Sequence, residues 1–224
     1  LITQQMLTST VENYLKALLM LSNQGEKRVS TGDLAKSLNV TPGSATSMIK
    51  TLAEAGLANH KPHYGVLLTD EGRTLAVHVV RRHRIIELFL VNILEMEWDE
   101  VHTEAEQLEH VVSDEVIARM DKLLGYPTLD PHGDPIPSAD GTFIERPLHQ
   151  LSQCEEGQRV QVARISDQNS SFLKFAESHG LTPGATIEVQ RRNVHADSIT
   201  LQSNEEEITL GFTAANRIEV AFVT

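Results

Sequence analysis

The chain has little of what stabilises small secreted proteins or anchors proteins in membranes. Among its 224 residues there is a single cysteine, Cys154, which excludes an internal disulfide framework and favours a reducing, cytoplasmic location. No apolar run approaches the roughly 20 residues of a membrane-spanning helix, and the polar opening residues do not resemble a signal peptide. We therefore expect a cytoplasmic protein with no membrane partner.

Positive charge is also scarce, because 19 Lys and Arg face 31 Asp and Glu, for a net charge of −12. This balance argues against a general binder of polyanions, since a phosphate backbone is held by local positive charge. Residues 27–64 are an exception, with five basic and two acidic residues and a local charge of +3. Any nucleic-acid surface is expected in this region.

Lys and Arg are absent between Glu87 and Glu115, a stretch that holds ten carboxylates. Apolar residues are interleaved with them, which favours folded helices over disorder. Glu106, Glu109 and His110 have the spacing i, i+3 and i+4, so a helix would place all three on one side. This arrangement predicts either a divalent-cation site or an acidic helix that simply faces solvent.

Two further histidines repeat the pattern, since His102 precedes Glu106 by four residues and His83 precedes Glu87 by four. None of the known metal-enzyme motifs with a His-Glu pair fits this stretch. The remaining histidines, His132 among them, are predicted to lie on the surface or in the hairpin described next.

Residues 1–72 are predicted to form a winged helix-turn-helix domain. A first helix is expected to start at the capping box Ser9-x-x-Glu12, and a short second helix to start near residue 30. A tight turn leads to a third helix over residues 42–56, and a β-hairpin over residues 57–68 forms the wing.

The third helix carries small and hydroxylated residues on its outer face, which would let it lie deep in the major groove of DNA. The alternative is a winged helix that contacts only proteins. The residues predicted to contact DNA, including two in the wing, are Thr41, Gly43, Ser44, Thr46, Ser47, Lys50, Lys61 and His63.

The rest of the chain is predicted to contain three parts, which makes the fold mainly α with small β. Residues 73–126 form helices with enough apolar surface to favour a two-fold dimer. Residues 127–150 hold five of the eight prolines and are expected to form a non-helical linker. Residues 151–224 contain five short strands and one helix, which favours an SH3-like barrel.

This order of parts resembles the diphtheria-toxin-repressor (iron-dependent repressor) family of metalloregulators, with its FeoA-like barrel. The matching segments are Arg82–Glu87, Trp98–His102, Glu106–His110 and Asp130–Pro137. The resemblance covers essentially the whole chain and is most specific over residues 80–137. It implies a dimeric, metal-activated transcriptional repressor that binds a double-stranded DNA operator, and not an enzyme.

The resemblance also implies a primary metal site at Glu106, Glu109 and His110. One more ligand comes from the first helix, at the residue before its tyrosine, which is Asn13 in this chain. The manganese-type members have Asp there and the iron-type members have Met, so Asn13 departs from both patterns. Glu12 is the alternative ligand, although it is also predicted to cap the helix.

An ancillary site is implied at His83, Glu87 and His102. In the family the barrel adds an oxygen donor from the loop before its helix, and here that donor would be Asp167, with Gln168 as the alternative. Asp167 is also in a position to cap a turn or the following helix, which would make it structural.

The metal is expected to be Mn²⁺ or Fe²⁺, because the iron-type members have Cys where this chain has Glu106, and hard oxygen ligands suit these ions. Zn²⁺, Co²⁺ or Ni²⁺ would bind in vitro according to the Irving–Williams order. Two other classes stay open. A metal-binding enzyme or storage protein would need an open coordination position, and a winged-helix sensor of a small organic ligand would leave the acidic cluster unexplained.

Overall fold

The computed structural model of the protein describes residues 8–23, 25, 27–144, 146–203 and 206–223. They form two compact units. The first contains the described part of Leu1–His83 with Glu109–Val112 and Pro137–Thr142, and the second contains Arg84–Leu108, Ser113–Ile136 and the described part of Phe143–Thr224. In the described residues no helix is long and apolar enough to cross a membrane.

The winged helix-turn-helix is confirmed in the first unit, with three helices and an antiparallel hairpin. Each helix starts at a hydroxyl side chain that accepts a backbone N–H: Thr8 from Val11, Ser30 from Asp33 and Thr41 from Ser44. The elements are α1 (Ser9–Leu21), α2 (Thr31–Ser37), α3 (Pro42–Glu54), β1 (Ala58–Lys61) and β2 (Gly65–Leu68).

The predicted capping box at Ser9 is wrong by one residue, because Thr8 supplies the capping hydroxyl. Glu12 is therefore not needed at the cap, and its carboxylate is available elsewhere. The α1 residues that face the core, such as Leu15 and Leu18, are fully buried at the helical spacing. Burial of this face sets the orientation of α1, so its polar side chains lie on the opposite face.

Three helices follow the wing: α4 (Asp70–Asn92), α5 (Val101–Leu108) and α6 (Asp114–Leu123). The prediction that Glu106, Glu109 and His110 share one helix is wrong, since α5 ends at Leu108 and the other two lie in the next turn. Tertiary contacts override the helical pattern here, because Glu109 is fully buried against side chains from α1 and α4.

The C-terminal residues form the predicted SH3-like sheet, which has six antiparallel strands in the order β3-β8-β4-β5-β6-β7. A helix precedes β5, and its buried residues pack into the core of the sheet. The elements are β3 (His149–Gln150), β4 (Arg159–Ile165), α7 (Ser170–Ser178), β5 (Thr186–Asn193), β6 (Ser198–Ser203), β7 (Glu206–Gly211), α8 (Phe212–Ala215) and β8 (Ile218–Phe222).

Residues 128–136, within the predicted linker, are non-helical, and they pack against the sheet. The carbonyl of His132 accepts the backbone N–H of Ile165 at 2.9 Å. A Cβ on Gly133 would lie 2.0 Å from the carbonyl oxygen of Ala163, so only glycine permits this approach. The segment therefore holds the side chains of Asp130 and His132 in a buried position.

Candidate metal centres

Glu109 is at the centre of a polar cluster in the first unit. Lys16 Nζ on α1 donates to its Oε1 at 2.6 Å, and His83 Nδ1 on α4 donates to its Oε2. Nε2 of His110 lies 3.5 Å from Oε1. The Glu109 side chain is fully buried, and an unpaired charge there would be costly, so the ammonium group of Lys16 and the hydrogen bond from His83 stabilise it.

These partners also set the charge of Glu109. Burial by itself raises the pKa of this carboxyl, but the hydrogen bond and charge of His83 and the charge of Lys16 outweigh burial and bring the pKa below its ordinary value. The carboxylate is therefore ionised at neutral pH. An ionised carboxylate beside two imidazoles is a suitable ligand for a divalent cation.

Glu12 reaches this cluster from α1 and accepts a hydrogen bond from Nδ1 of His110. With the proton on Nδ1, Nε2 of His110 keeps its lone pair. Nε2 is buried and makes no hydrogen bond within the described residues. Histidines that bind metals commonly donate their second ring N–H to a carboxylate, so Glu12 has the geometry of a group that orients His110.

The side chain of Asn13 indicates whether the residues of this cluster fit a metal ion. Its Oδ1 is buried and has no hydrogen-bond partner among the described residues. Buried polar atoms are nearly always paired, so an orphaned oxygen indicates a missing partner. Oxygen from Asn13 and Glu109 with nitrogen from His110 is a donor set that suits Mn²⁺ or Fe²⁺, and the residues present therefore fit a hard divalent cation.

A second cluster lies in the second unit and consists of Glu87, Asp130 and His132, all buried. One ligand atom from each lies within 4.8 Å of the others. Glu87 also accepts a hydrogen bond from Nδ1 of His102 at 3.1 Å. Glu87 and His102 were predicted as ligands through the family resemblance, whereas sequence reasoning missed Asp130 and His132.

The predicted surface position of His132 is wrong, because this residue is fully buried. Its Nε2 donates to the carbonyl oxygen of Trp98 at 3.0 Å, which leaves the lone pair on Nδ1. Nδ1 makes no hydrogen bond within the described residues and lies 3.9 Å from Oε2 of Glu87. His132 therefore directs an unused nitrogen at a carboxylate.

Trp98 is held in place by the barrel, and this fixes the carbonyl that orients His132. The indole packs in the hydrophobic core of the sheet and stacks on the His132 ring at 5.5 Å. The neighbouring Asp99 accepts a hydrogen bond from Ser170 Oγ at 2.5 Å and pairs with Lys174 Nζ at 3.2 Å, both on α7. These contacts anchor the loop between α4 and α5.

The carboxyl group of Asp130 is only partly compensated by hydrogen bonds. Its Oδ1 accepts the backbone N–H groups of His132 and Asp134, but its buried Oδ2 has no hydrogen bond within the described residues. Burial, and next the charges of Asp134 and Glu87, raise the pKa of Asp130 well above its ordinary value, although Arg84 opposes this. A divalent cation would favour the ionised form, so this donor set also fits a hard cation.

Three other predicted ligands have different contacts. Oδ1 of Asp167 accepts the backbone N–H of Asn169, and its Oδ2 lies 2.8 Å from Arg217, which are the contacts of a turn. The neighbouring Gln168 is partly buried. Oε1 of Glu106 lies 3.7 Å from Nε2 of His102. Their roles as ligands stay predictions.

The predicted DNA-contacting residues lie on α3 and in the wing, and all eight are exposed. The inward face of α3 is formed by Ala45, Ile49 and Leu52, which are buried. In the wing Lys61 Nζ lies 4.1 Å above the Tyr64 ring. Arg28 donates to the backbone carbonyls of both strands and so braces the hairpin.

Family models match three successive parts of the chain. Residues 6–66 match the iron dependent repressor, N-terminal DNA binding domain. Residues 69–138 match the iron dependent repressor, metal binding and dimerisation domain. Residues 149–221 match the FeoA domain.

Several relatives match the chain over nearly its whole length. The iron-dependent repressor IdeR of Mycobacterium tuberculosis is 34% identical over 226 residues, which cover 96% of this chain and 97% of the relative. A structure of a manganese-dependent transcriptional repressor in complex with manganese is 42% identical with a TM-score of 0.88, covering 95% of this chain and 100% of the other. A structure of ScaR with bound Zn²⁺ is 34% identical with a TM-score of 0.79, covering 95% and 99%.

Proposed function

Because the chain belongs to the iron-dependent repressor family, we propose that it represses transcription of metal-homeostasis genes when Mn²⁺ or Fe²⁺ is bound. It binds a double-stranded DNA operator as a homodimer and is not an enzyme. The observation that carries this proposal is the cluster around Glu109, which joins α1 of the DNA-binding domain to α4 and to residues 109–110 through oxygen and nitrogen donors.

The primary centre is proposed to use Asn13, Glu109 and His110, with Glu106 as the further ligand that the resemblance implies. His83, which the resemblance implies as a ligand of the ancillary centre, donates to Glu109. The orphaned oxygen of Asn13 supports it as the ligand from α1. Glu12, the alternative, is proposed to orient His110 instead, because it already accepts the Nδ1 proton of that ring.

The second centre is proposed to use Glu87, Asp130 and His132, with His102 hydrogen-bonded to Glu87. Asp167 is proposed as the oxygen donor from the barrel, which would require it to exchange its contact with Arg217 for the metal. Trp98 holds His132 in the tautomer that directs Nδ1 at this centre. The donors are oxygen and nitrogen only, which supports Mn²⁺ or Fe²⁺ over a thiolate-preferring ion.

A divalent cation, when bound, would supply positive charge shared by the carboxylates of each centre. At the primary centre Asn13 and Glu109 would both hold it, which would tie α1 to residues 109–110. Since α1 packs on α2 and α3, this contact favours one position of the recognition helix. In the homodimer, molecules with the helix in this position would present both α3 helices at the spacing of two operator half-sites. Shifting the population from 1:99 to 99:1 takes about 5.5 kcal/mol of differential binding.

At the operator, the exposed small residues of α3 are proposed to enter the major groove, with Lys61 and His63 of the wing on the flanking phosphates. The net charge of +3 over residues 27–64 supports this surface in an otherwise acidic chain. The protein is proposed to act in the cytoplasm, where a single cysteine stays reduced.

The proposal is tested by measuring DNA affinity at fixed free concentrations of Mn²⁺, Fe²⁺ and Zn²⁺. The operator is first selected from a random DNA library in the presence of Mn²⁺. We expect dimers to bind it at least about 1000-fold more tightly with metal than in excess chelator, the usual margin of specific over non-specific binding. Tight, sequence-specific binding in excess chelator would contradict the proposal.

A further inference from the structure

Lys16 lies inside the cluster around Glu109 although it is not a possible metal ligand, because a protonated amine has no lone pair. Its Nζ is 2.6 Å from Oε1 of Glu109, and its side chain is 15% exposed where that of Glu109 is fully buried. Lys16 follows Glu12 by four residues, so both side chains leave the same face of α1. Both contact the turn formed by Glu109 and His110.

The ammonium group of Lys16 is hydrogen-bonded to Oε1 of Glu109, and this oxygen is a candidate metal ligand. Oε1 of Glu109 is also the oxygen that Nε2 of His110 faces at 3.5 Å. These two atoms are a carboxylate oxygen and a ring nitrogen with its lone pair, and their separation lets one cation contact both. A divalent cation near Oε1 would lie close to the charge of Lys16 in a buried environment, where like charges repel strongly.

We propose that Lys16 occupies the primary centre of the metal-free protein and that a divalent cation binds there by displacing it. Lys16 thereby raises the metal concentration at which the protein responds. This inference rests on the proposed function for the location of the centre. The long side chain can turn its ammonium group to solvent while α1 keeps its place, because the lysine is already partly exposed.

The same contact has a second consequence for the metal-free protein. Without metal, the ammonium group of Lys16 compensates the buried charge of Glu109, and His83 donates a hydrogen bond to the other carboxylate oxygen. Removal of Lys16 should therefore destabilise the metal-free form and strengthen metal binding at the same time. A lysine with only a structural role would not produce these opposite effects.

The experiment compares Mn²⁺ binding by the full-length wild type, Lys16→Met and Lys16→Arg, using titration calorimetry and thermal unfolding. Lys16→Met keeps the length of the side chain without its charge. We expect about tenfold tighter binding at the primary centre, or about 1.4 kcal/mol. We also expect a lower metal-free Tm and a larger rise of Tm with Mn²⁺. Lys16→Arg keeps a cation and should bind Mn²⁺ no more tightly than the wild type.

A matched control is Lys174→Met, which removes a lysine that pairs with Asp99 on the barrel. It should leave affinity at the primary centre unchanged. If Lys16→Met does not fold without metal, Lys16→Gln, which retains a donor without charge, takes its place. Equal or weaker Mn²⁺ affinity after loss of the charge would overturn the inference while leaving the proposed function intact. Absence of Mn²⁺ binding in the wild type and in all variants would overturn both.

Discussion

At both candidate centres a buried carboxylate has a basic side chain of the same chain beside it. Lys16 donates to Glu109, and Nε of Arg84 lies 3.7 Å from Oδ2 of Asp130. An uncompensated buried charge would destabilise the fold. These basic side chains reduce the free-energy cost of burying the carboxylates in the metal-free protein. The compensation is stronger at the first centre than at the second, because the pKa of Glu109 is lowered and that of Asp130 is raised.

His110→Ala should abolish the response of DNA binding to Mn²⁺, with at least about a 100-fold loss of affinity at the primary centre. The variant removes the Nε2 lone pair and leaves Glu12 without its hydrogen-bond donor. The fold and the dimer should persist, which circular dichroism and ultracentrifugation check. Glu104→Ala, at an exposed position of α5, is the control and should respond normally. An unchanged Mn²⁺ response of His110→Ala would refute the assignment of His110.

Asp167→Ala should weaken the second Mn²⁺-binding event in calorimetry and leave the first unchanged, if the barrel supplies a ligand. His132→Gln serves as the positive control, since it replaces a residue of the second cluster itself. Fluorescence of Trp98, the only tryptophan in the chain, reports on this centre because the indole stacks on His132. If Asp167→Ala still shows two binding events of undiminished affinity, Asp167 is not a ligand and its role is limited to the contacts of the turn.

Asp130→Asn should make the metal-free protein more stable at pH 7 and less sensitive to pH. The pKa of Asp130 is raised in the folded state, so between the ordinary pKa near 4 and the raised value the folded state retains a proton that the unfolded state releases. The stability from this group is thus fully present below the ordinary pKa and is lost as pH rises through the raised pKa. Asparagine does not ionise and retains the Oδ1 acceptor.

Urea unfolding in excess chelator at several pH values from 4.5 to about 7.5 measures this effect. Asp33→Asn, at an exposed position of α2, is the control. A variant with the same decline in stability toward neutral pH as the wild type would show that Asp130 does not cause it.

At the scale of elements, α4 begins against the backbone that precedes the wing. A Cβ on Gly72 would lie 2.0 Å from the carbonyl oxygen of Leu57, which is too close for any side chain. Glycine is normally unfavourable in a helix, so its presence here is explained by this close approach. The contact joins the recognition helix and the wing to the helix that carries His83.

Gly72→Ala should lower the free energy of unfolding by about 2–3 kcal/mol, because the backbone must shift to admit the methyl group. The matched variant Gly43→Ala lies in α3, where the nearest atom to a new Cβ is 3.8 Å away. It should keep or raise stability, by up to about 1 kcal/mol. Both are measured by urea unfolding, and equal effects of the two substitutions would contradict the argument.

The elements were largely predictable from the sequence, whereas parts of the sites were not. Caps and apolar periods are local, which explains why α2, α3 and the wing agree with the prediction to within about one residue or two. Lys16 and Glu109 are 93 residues apart, and His132 lies 34 residues from Trp98. No local pattern indicates such contacts, so the contact of Lys16 with Glu109 and the burial of His132 become visible only in the fold.

For the whole molecule, function depends on assembly into a homodimer, and α6 carries an exposed apolar stripe that suits this. Val116 and Leu123 are 40% and 64% exposed, and Met120 is partly buried between them. Their spacing of four and three residues places all three on one face of α6, while Ile117 and Asp121 face inward. The stripe lies within residues 69–138, which match the family's dimerisation domain.

Leu123→Glu should convert the protein into a monomer that still binds Mn²⁺ but has lost specific binding to its operator. A charge in a two-fold interface is repeated in the partner, so its desolvation cost counts twice and like charges repel. The dimer dissociation constant should rise at least about 100-fold, the effect of a cost near 3 kcal/mol. Operator affinity should fall toward non-specific binding, since one α3 reads only one half-site.

Ultracentrifugation measures the assembly state, calorimetry the Mn²⁺ binding, and fluorescence anisotropy the DNA affinity. Val194→Glu is the control, because Val194 is similarly exposed, at 56%, but lies beyond β5 in the barrel. It should remain a dimer with full DNA affinity. If Leu123→Glu remains dimeric, the dimer interface lies elsewhere than on α6. If it becomes monomeric and retains full operator affinity, the requirement for two half-sites is wrong.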